Sequence, residues 1–108
     1  MINHDALFET WVVQNMAAIL EAHVPEAGIS YWHEQGRHEV DLVIEWEGKV
    51  MAVEIKASSR WSEGDLASLK AFLDRTSQCT AAVLAYNGRQ AVPLGPRLWA
   101  IPLGRLLE

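Results

Sequence analysis

Two apolar runs meet at Glu47-Gly48, and that junction constrains the fold more than any other stretch of the chain. Residues 38–59, HEVDLVIEWEGKVMAVEIKASS, read as two strands joined by a two-residue turn. Glycine at the second turn position accepts the positive φ that a tight hairpin needs. With this turn, Trp46 pairs with Lys49, and counting back in step sets Asp41 opposite Glu54 and Glu39 opposite Lys56. Directly opposed side chains lie about 5 Å apart at Cβ, close enough for like charges to destabilise a sheet. Leu42, Val43, Ile44, Val53 and Ile55 are apolar on both strand faces, the pattern of a sheet covered on both sides. The Asp41/Glu54 pair is therefore not fully solvated and needs compensating charge.

A divalent cation held by hard oxygen ligands, Mg²⁺ or Mn²⁺, supplies such charge. Lys56 follows Glu54 by two residues, so strand alternation points both to one face. Two carboxylates and an ammonium then converge. The plain structural role for Lys56 is a cross-strand ion pair with Glu39, worth ~0.2–1 kcal/mol.

The chain before and after this hairpin supplies its cover. Residues 5–24 form a helix with Asn3 as N-cap, on which Phe8, Val12, Val13, Met16, Ala17, Ile19, Leu20 and Val24 project to one broad stripe. Glu9 falls in the middle of that stripe. A buried carboxylate needs a partner or a metal, although a glutamate in the first turn is also favoured by the helix dipole. Leu7 and Trp11 project away, either to cover a loop or to form an apolar patch for a partner. Residues 29–34 read as a strand ended by Gln35-Gly36, and Trp32 and Trp46 as packing residues. Ser62 and Asp65 approximate a capping box before a helix whose apolar face is Leu66, Leu69, Phe72 and Leu73. Residues 80–86 form an apolar strand, Asn87-Gly88 signals a hairpin with 89–94 returning, and Pro93 marks an edge. Residues 97–101 form a short strand, and Pro102 opens a final helical turn.

These residues carry a resemblance. Asp41, a spacer of twelve residues and then Glu54-Ile55-Lys56 resemble the signature of the PD-(D/E)XK nuclease superfamily, with Val40 where that name has proline. Phe8-Glu9, Gly36-Arg37-His38-Glu39-Val40-Asp41, Val53-Glu54-Ile55-Lys56-Ala57-Ser58-Ser59 and Asp65-Leu66 together resemble a nuclease-like domain of unknown function often found at the C-terminus of AAA+ ATPases. The ordered blocks span nearly the whole chain and are more specific than the three-letter core. The resemblance implies an α/β (α+β), restriction-endonuclease-like fold: an αβββαβ core whose central mixed sheet is flanked by helices, with a small C-terminal β extension. It further implies a Mg²⁺- or Mn²⁺-dependent DNA endonuclease. Asp41, Glu54 and the Ile55 carbonyl hold the ion, Glu9 binds that ion, a second one or a ligating water, and Lys56 orients the water or stabilises phosphate charge. Where the related domain often has a second acid on its first helix, this chain has Asn15.

Composition sets bounds on that reading. The 108 residues suit a single domain spanning the whole chain. Half are hydrophobic, 21% are charged, and the longest apolar runs fall short of a membrane span. With no secretion signal at the start, a cytoplasmic location is expected. A lone Cys79 excludes an internal disulfide and a cysteine-rich zinc site. The net charge of −5 opposes bulk electrostatic grip on nucleic acid, unless Arg37, Lys56, Arg60 and Lys70 make a local basic face. No Walker A stretch occurs. The alternative function is a non-catalytic interaction module or accessory domain of an AAA+ ATPase. Cutting two strands calls for two sites, so a homodimer is expected, with Leu7/Trp11 and the segment around Leu98, Trp99 and Leu103 as its contact, unless those segments cover each other.

Overall fold

The computed structural model describes residues 4–107; the Asn3 cap lies outside the described residues. α1 (His4–His23) precedes the antiparallel strands β1 (Gly28–Glu34), β2 (His38–Trp46) and β3 (Lys49–Lys56). A 3₁₀ turn (Glu63–Leu66) runs into α2 (Ala67–Arg75), followed by β4 (Cys79–Tyr86), β5 (Val92–Gly95), β6 (Leu98–Pro102) and the short α3 (Leu103–Leu106). The strands form one mixed sheet in the order β1-β2-β3-β4-β6-β5. β4 pairs parallel to both β3 and β6, and β5 closes the far edge antiparallel to β6. The αβββαβ order and the flanking helices are those the sequence suggested.

The hairpin turn forms as its residues require. Glu47 and Gly48 both take positive φ, 52° and 75°, the signature of a type I′ turn whose twist suits the flanking strands. Trp46 pairs with Lys49 and the register runs back to Leu42 opposite Val53. Alternating residues then separate two cores. Val43 and Ala52 pack with Leu69, Phe72 and Leu84 beneath α2, while Leu42, Val53 and Ile55 pack with Val12, Met16 and Leu103 beneath α1 and α3. Trp32 meets Phe72 edge to face at 5.4 Å, a favoured aromatic geometry that ties β1 to α2. Trp46, in contrast, is largely exposed.

Three expectations are corrected. Phe8 and Ile19 are exposed although they share the apolar stripe of α1; the helix is buried only at Val12 and Met16, because it rests on the sheet along a narrow line. Leu7 and Trp11 are 57% and 55% exposed, whereas Leu98 and Leu103 lie in the cores, leaving Trp99 as the exposed large side chain of that segment. The exposure of Leu7, Trp11 and Trp99 means that the two segments do not cover each other. Finally, Asn87-Gly88 does not turn a hairpin, since β5 pairs with β6. Both flanks of β4 are taken by parallel neighbours, which leaves no place for a returning strand.

Gly88 serves a different end. A Cβ there would stand 2.1 Å from the Tyr86 ring, and that ring is buried with its hydroxyl donating to the Gln90 carbonyl at 2.5 Å. Gly88→Ala is therefore expected to displace Tyr86 and to cost roughly 1–3 kcal/mol, the range for overpacking. Urea unfolding monitored by fluorescence checks this; an unchanged midpoint would show that Tyr86 yields freely.

Candidate functional site

The site begins with an irregularity in β2. Ser30 pairs with Val43 but Trp32 pairs with Val40, so β2 spends one residue more than β1 between the same points, a bulge at Asp41-Leu42. Bulges break strict alternation and re-aim side chains. Consistent with this, Val40 packs in the α2-side core with Val43, whereas Leu42 packs in the other. The β2–β3 pairing ends with Leu42 opposite Val53, so Ile55 needs another acceptor for its N–H. The Asp41 carboxylate provides it, with Oδ2 accepting from Ile55 N–H at 2.8 Å.

Asp41 and Glu54 meet just beyond the last ladder pair, Leu42 opposite Val53, with their side chains within hydrogen-bonding reach of each other. Two carboxyl groups this close repel when both are ionised, which favours the protonated form of Glu54. Burial, then the hydrogen bond and charge of Asp41, and then the charge of Glu9 push the Glu54 carboxyl up to about 10, against an opposing hydrogen bond from the Asp41 backbone. Glu9 on α1 also titrates above its ordinary range, through burial first and the Asp41 charge second, while a hydrogen bond with the Ala57 backbone acts the other way. Glu9 thus reaches the end of β3 and feels both acids.

Lys56 is placed differently from the simple register. Its Nζ lies 3.0 Å from Asp65 Oδ1, and the Glu39 pairing does not form among the described contacts. The bulge is the physical reason: the ladder that would set Glu39 across from Lys56 has already ended. Instead the Glu39 N–H donates to Ser68 Oγ at 3.2 Å. Asp65 is the residue whose site role sequence reasoning missed. Its Oδ2 accepts from Ser62 N–H at 2.8 Å, closing the start of the 3₁₀ turn. Although burial acts upward, the Ser62 backbone and Lys56 hold the Asp65 carboxyl below its ordinary range. One carboxylate therefore joins Lys56 to the start of the α2 segment. The Ser62/Asp65 capping pattern was the signal available in the sequence.

These groups line an open cleft of ≈ 420 Å³, where Glu9, Glu39, Asp41, Glu54 and Asp65 face Arg37 and Lys56. A second groove of ≈ 550 Å³ adjoins it between α1 and the β1/β2 edge, sharing Glu9, Glu39 and Asp41 and floored by Val13, Val40 and Leu42. The expected basic face is weak: Lys56 is paired with Asp65 and Lys70 with Glu63. Asn15 takes no part, its amide donating to the Trp11 carbonyl. Among the described residues no group of three or more His, Cys, Asp or Glu side chains is placed to hold a metal ion, so Glu9 is a neighbour of the acid pair and not yet a ligand beside it. No helix among the described residues is long and apolar enough to cross a membrane.

Fold and site together define an α+β domain with a close-set carboxyl pair and a tethered lysine at an open cleft. Residues 4–106 match the family described as a domain of unknown function, DUF4143. The chain belongs to that family. No curated protein matches it.

Proposed function

We propose that this domain is a Mg²⁺- or Mn²⁺-dependent nuclease of the PD-(D/E)XK kind that hydrolyses DNA phosphodiester bonds. The observation that carries the reading is the Asp41/Glu54 pair: two close-set carboxyl groups, the Glu54 one held protonated by burial and by Asp41, with Glu54 two residues from Lys56 along β3. The donor set fits a hard cation, because a divalent ion can replace that proton and offset the acid-rich cleft. Asp41 and Glu54 would hold it, with the Ile55 carbonyl and Glu9 as further oxygen donors implied by the family likeness. When bound, the ion would polarise a phosphoryl oxygen and lower the pKa of a bound water. Lys56 contributes an ammonium beside this centre, suited to stabilising the charge that grows on phosphate. Asp65 restrains its position. Ser62, Asp65 and Lys56 thus form a chain that sets where that charge stands relative to Glu54.

A melting experiment tests the metal site apart from catalysis. Ligands that bind only the folded state stabilise it by mass action, so Mn²⁺ or Mg²⁺ is expected to raise the Tm of the wild type and to leave that of Asp41→Ala unmoved. The absence of any response to hard cations would remove the support for the site.

A second reading, a non-catalytic module of an AAA+ ATPase, is favoured by one specific feature: Leu7, Phe8 and Trp11 form an exposed apolar surface on α1, with the two rings stacked at 6.4 Å. That surface suits protein contact. A Tm response to Mn²⁺ together with cleavage lost in a Lys56 variant separates the enzyme from the module.

A further inference from the structure

The two edges of the sheet differ in how they are guarded. β5 has four residues, contains Pro93 and breaks register between Pro93 and Gly95; short length, proline and irregularity are the ordinary means of blocking edge pairing. β1 has none of these. It runs for seven residues, Gly28-Ile29-Ser30-Tyr31-Trp32-His33-Glu34, with neither proline nor lysine nor arginine. The bulge beside it belongs to β2, so β1 itself presents a regular outer edge. Its one formal charge, Glu34, is already paired with Arg75. Trp32 anchors the strand from the α2 side through Phe72, while Tyr31 is 70% exposed and Ile29 38% exposed.

We propose that β1 pairs antiparallel with β1 of a second copy of this chain, joining two six-stranded sheets into one across a twofold axis at Tyr31. The strand is suited to itself. Centred on Tyr31, antiparallel pairing sets Tyr31 against its twin and Ile29 against His33, on the face shared with α1. It sets each Glu34 across from the other copy's Gly28, so the two carboxylates stand at opposite ends of the contact and no like charges oppose each other. The exposed Ile29 and Tyr31 gain cover from the twin strand. A strand with charged residues along its length would not self-pair in this way.

The guarded β5 edge makes a second copy the fitting occupant. One open and one blocked edge per chain allow a closed pair, whereas two open edges would lead to an unending sheet. The pairing also brings the two α1/β1 grooves, each lined by Tyr31 and Ser30, side by side in a fixed antiparallel relation. This assembly does not depend on the nuclease reading.

Sedimentation velocity over a wide concentration range tests it. The wild type is expected to reach twice the monomer mass, and Tyr31→Lys, which places a charge directly opposite its twin, to remain monomeric with an unchanged circular-dichroism spectrum. Because opposed Cβ atoms lie about 5 Å apart, Tyr31→Cys is expected to crosslink fully with a short thiol-specific bifunctional reagent. Cys79 is buried and does not compete. Trp11→Cys on α1 is expected not to crosslink. A wild type that stays monomeric throughout, or a dimer that survives Tyr31→Lys and crosslinks through Trp11→Cys, overturns the proposal.

Discussion

Lys56→Ala is expected to lower the cleavage rate by about 10²–10³-fold or more, the loss seen when a preorganised group aimed at developing charge is removed. It is expected to leave the Mn²⁺-dependent rise in Tm in place. The two outcomes follow from one geometry. Lys56 Nζ is held 3.0 Å from Asp65 Oδ1, while the Asp41 and Glu54 carboxyls are in contact with each other, so the lysine can be removed without removing a ligand. Its pairing with Asp65 is partly exposed, and such pairs contribute less than about 1 kcal/mol to stability; the fold survives its loss. Asp65→Asn should fall between the wild type and Lys56→Ala, because the ammonium remains but its tether is weakened. Branched, nicked, single-stranded and duplex DNA should be compared. Equal cleavage by wild type and Lys56→Ala would identify a contaminating nuclease and withdraw the assignment.

The hairpin that carries the site was legible because a local rule fixed it. Once Glu47-Gly48 is the turn, the period of two along each strand sets every later pair down to Leu42 and Val53, and the acid pair follows. The bulge was not legible. Whether Tyr31 spans one or two residues of β2 depends on how β1 docks, a tertiary matter that leaves no mark on residues 38–46. That one extra residue ends the ladder, frees Ile55 N–H for Asp41 and removes Glu39 from Lys56. Asp65 was recognisable as a cap from Ser62, but its approach to Lys56 required knowing how the 57–61 loop returns.

Misreadings elsewhere have the same origin. Asn87-Gly88 is a sound turn signal, yet a hairpin needs a free flank on the preceding strand, and β4 has none. Helical periodicity identified the apolar side of α1 but not how much of it the sheet would reach. Phe8 and Ile19 share the stripe but stay exposed, while the core takes Val12 and Met16 fully and Val13 and Leu20 in part. Burial of Leu66 at the end of the 3₁₀ turn and of Leu69, Phe72 and Leu73 on α2 did follow the pattern, because that short segment lies flat on the sheet and its whole apolar face is used.

Without metal, the protein is expected to lose stability steadily from about pH 5 to about pH 9, with Glu54 contributing a slope of at most about 1.4 kcal/mol per pH unit. The sign comes from Glu54, whose carboxyl rises from 4.5 to about 10 on folding, by burial first and then by its hydrogen bond and charge interaction with Asp41. A group raised on folding contributes stability that is fully present below its unfolded pKa and is lost as pH climbs toward its folded one. Glu9 is raised as well and acts in the same sense, while the lowered Asp65 contributes stability that is fully present above its unfolded value of 3.8 and is lost only as pH falls below it, outside this window. Glu54→Gln keeps a neutral hydrogen-bonding group beside Asp41, so it should flatten the profile and melt above the wild type at the alkaline end. Cation binding must displace the Glu54 proton, and the Mn²⁺-induced rise in Tm should therefore grow with pH in the wild type and vanish in Glu54→Gln. Melting curves across this range, with chelator and with Mn²⁺, separate the two halves of the argument. A wild type whose metal-free Tm climbs with pH would refute the close-set carboxyl pair itself. A Tm that falls as expected but ignores Mn²⁺ at high pH would leave the pair standing and remove the metal, and with it the hydrolytic role of the cleft.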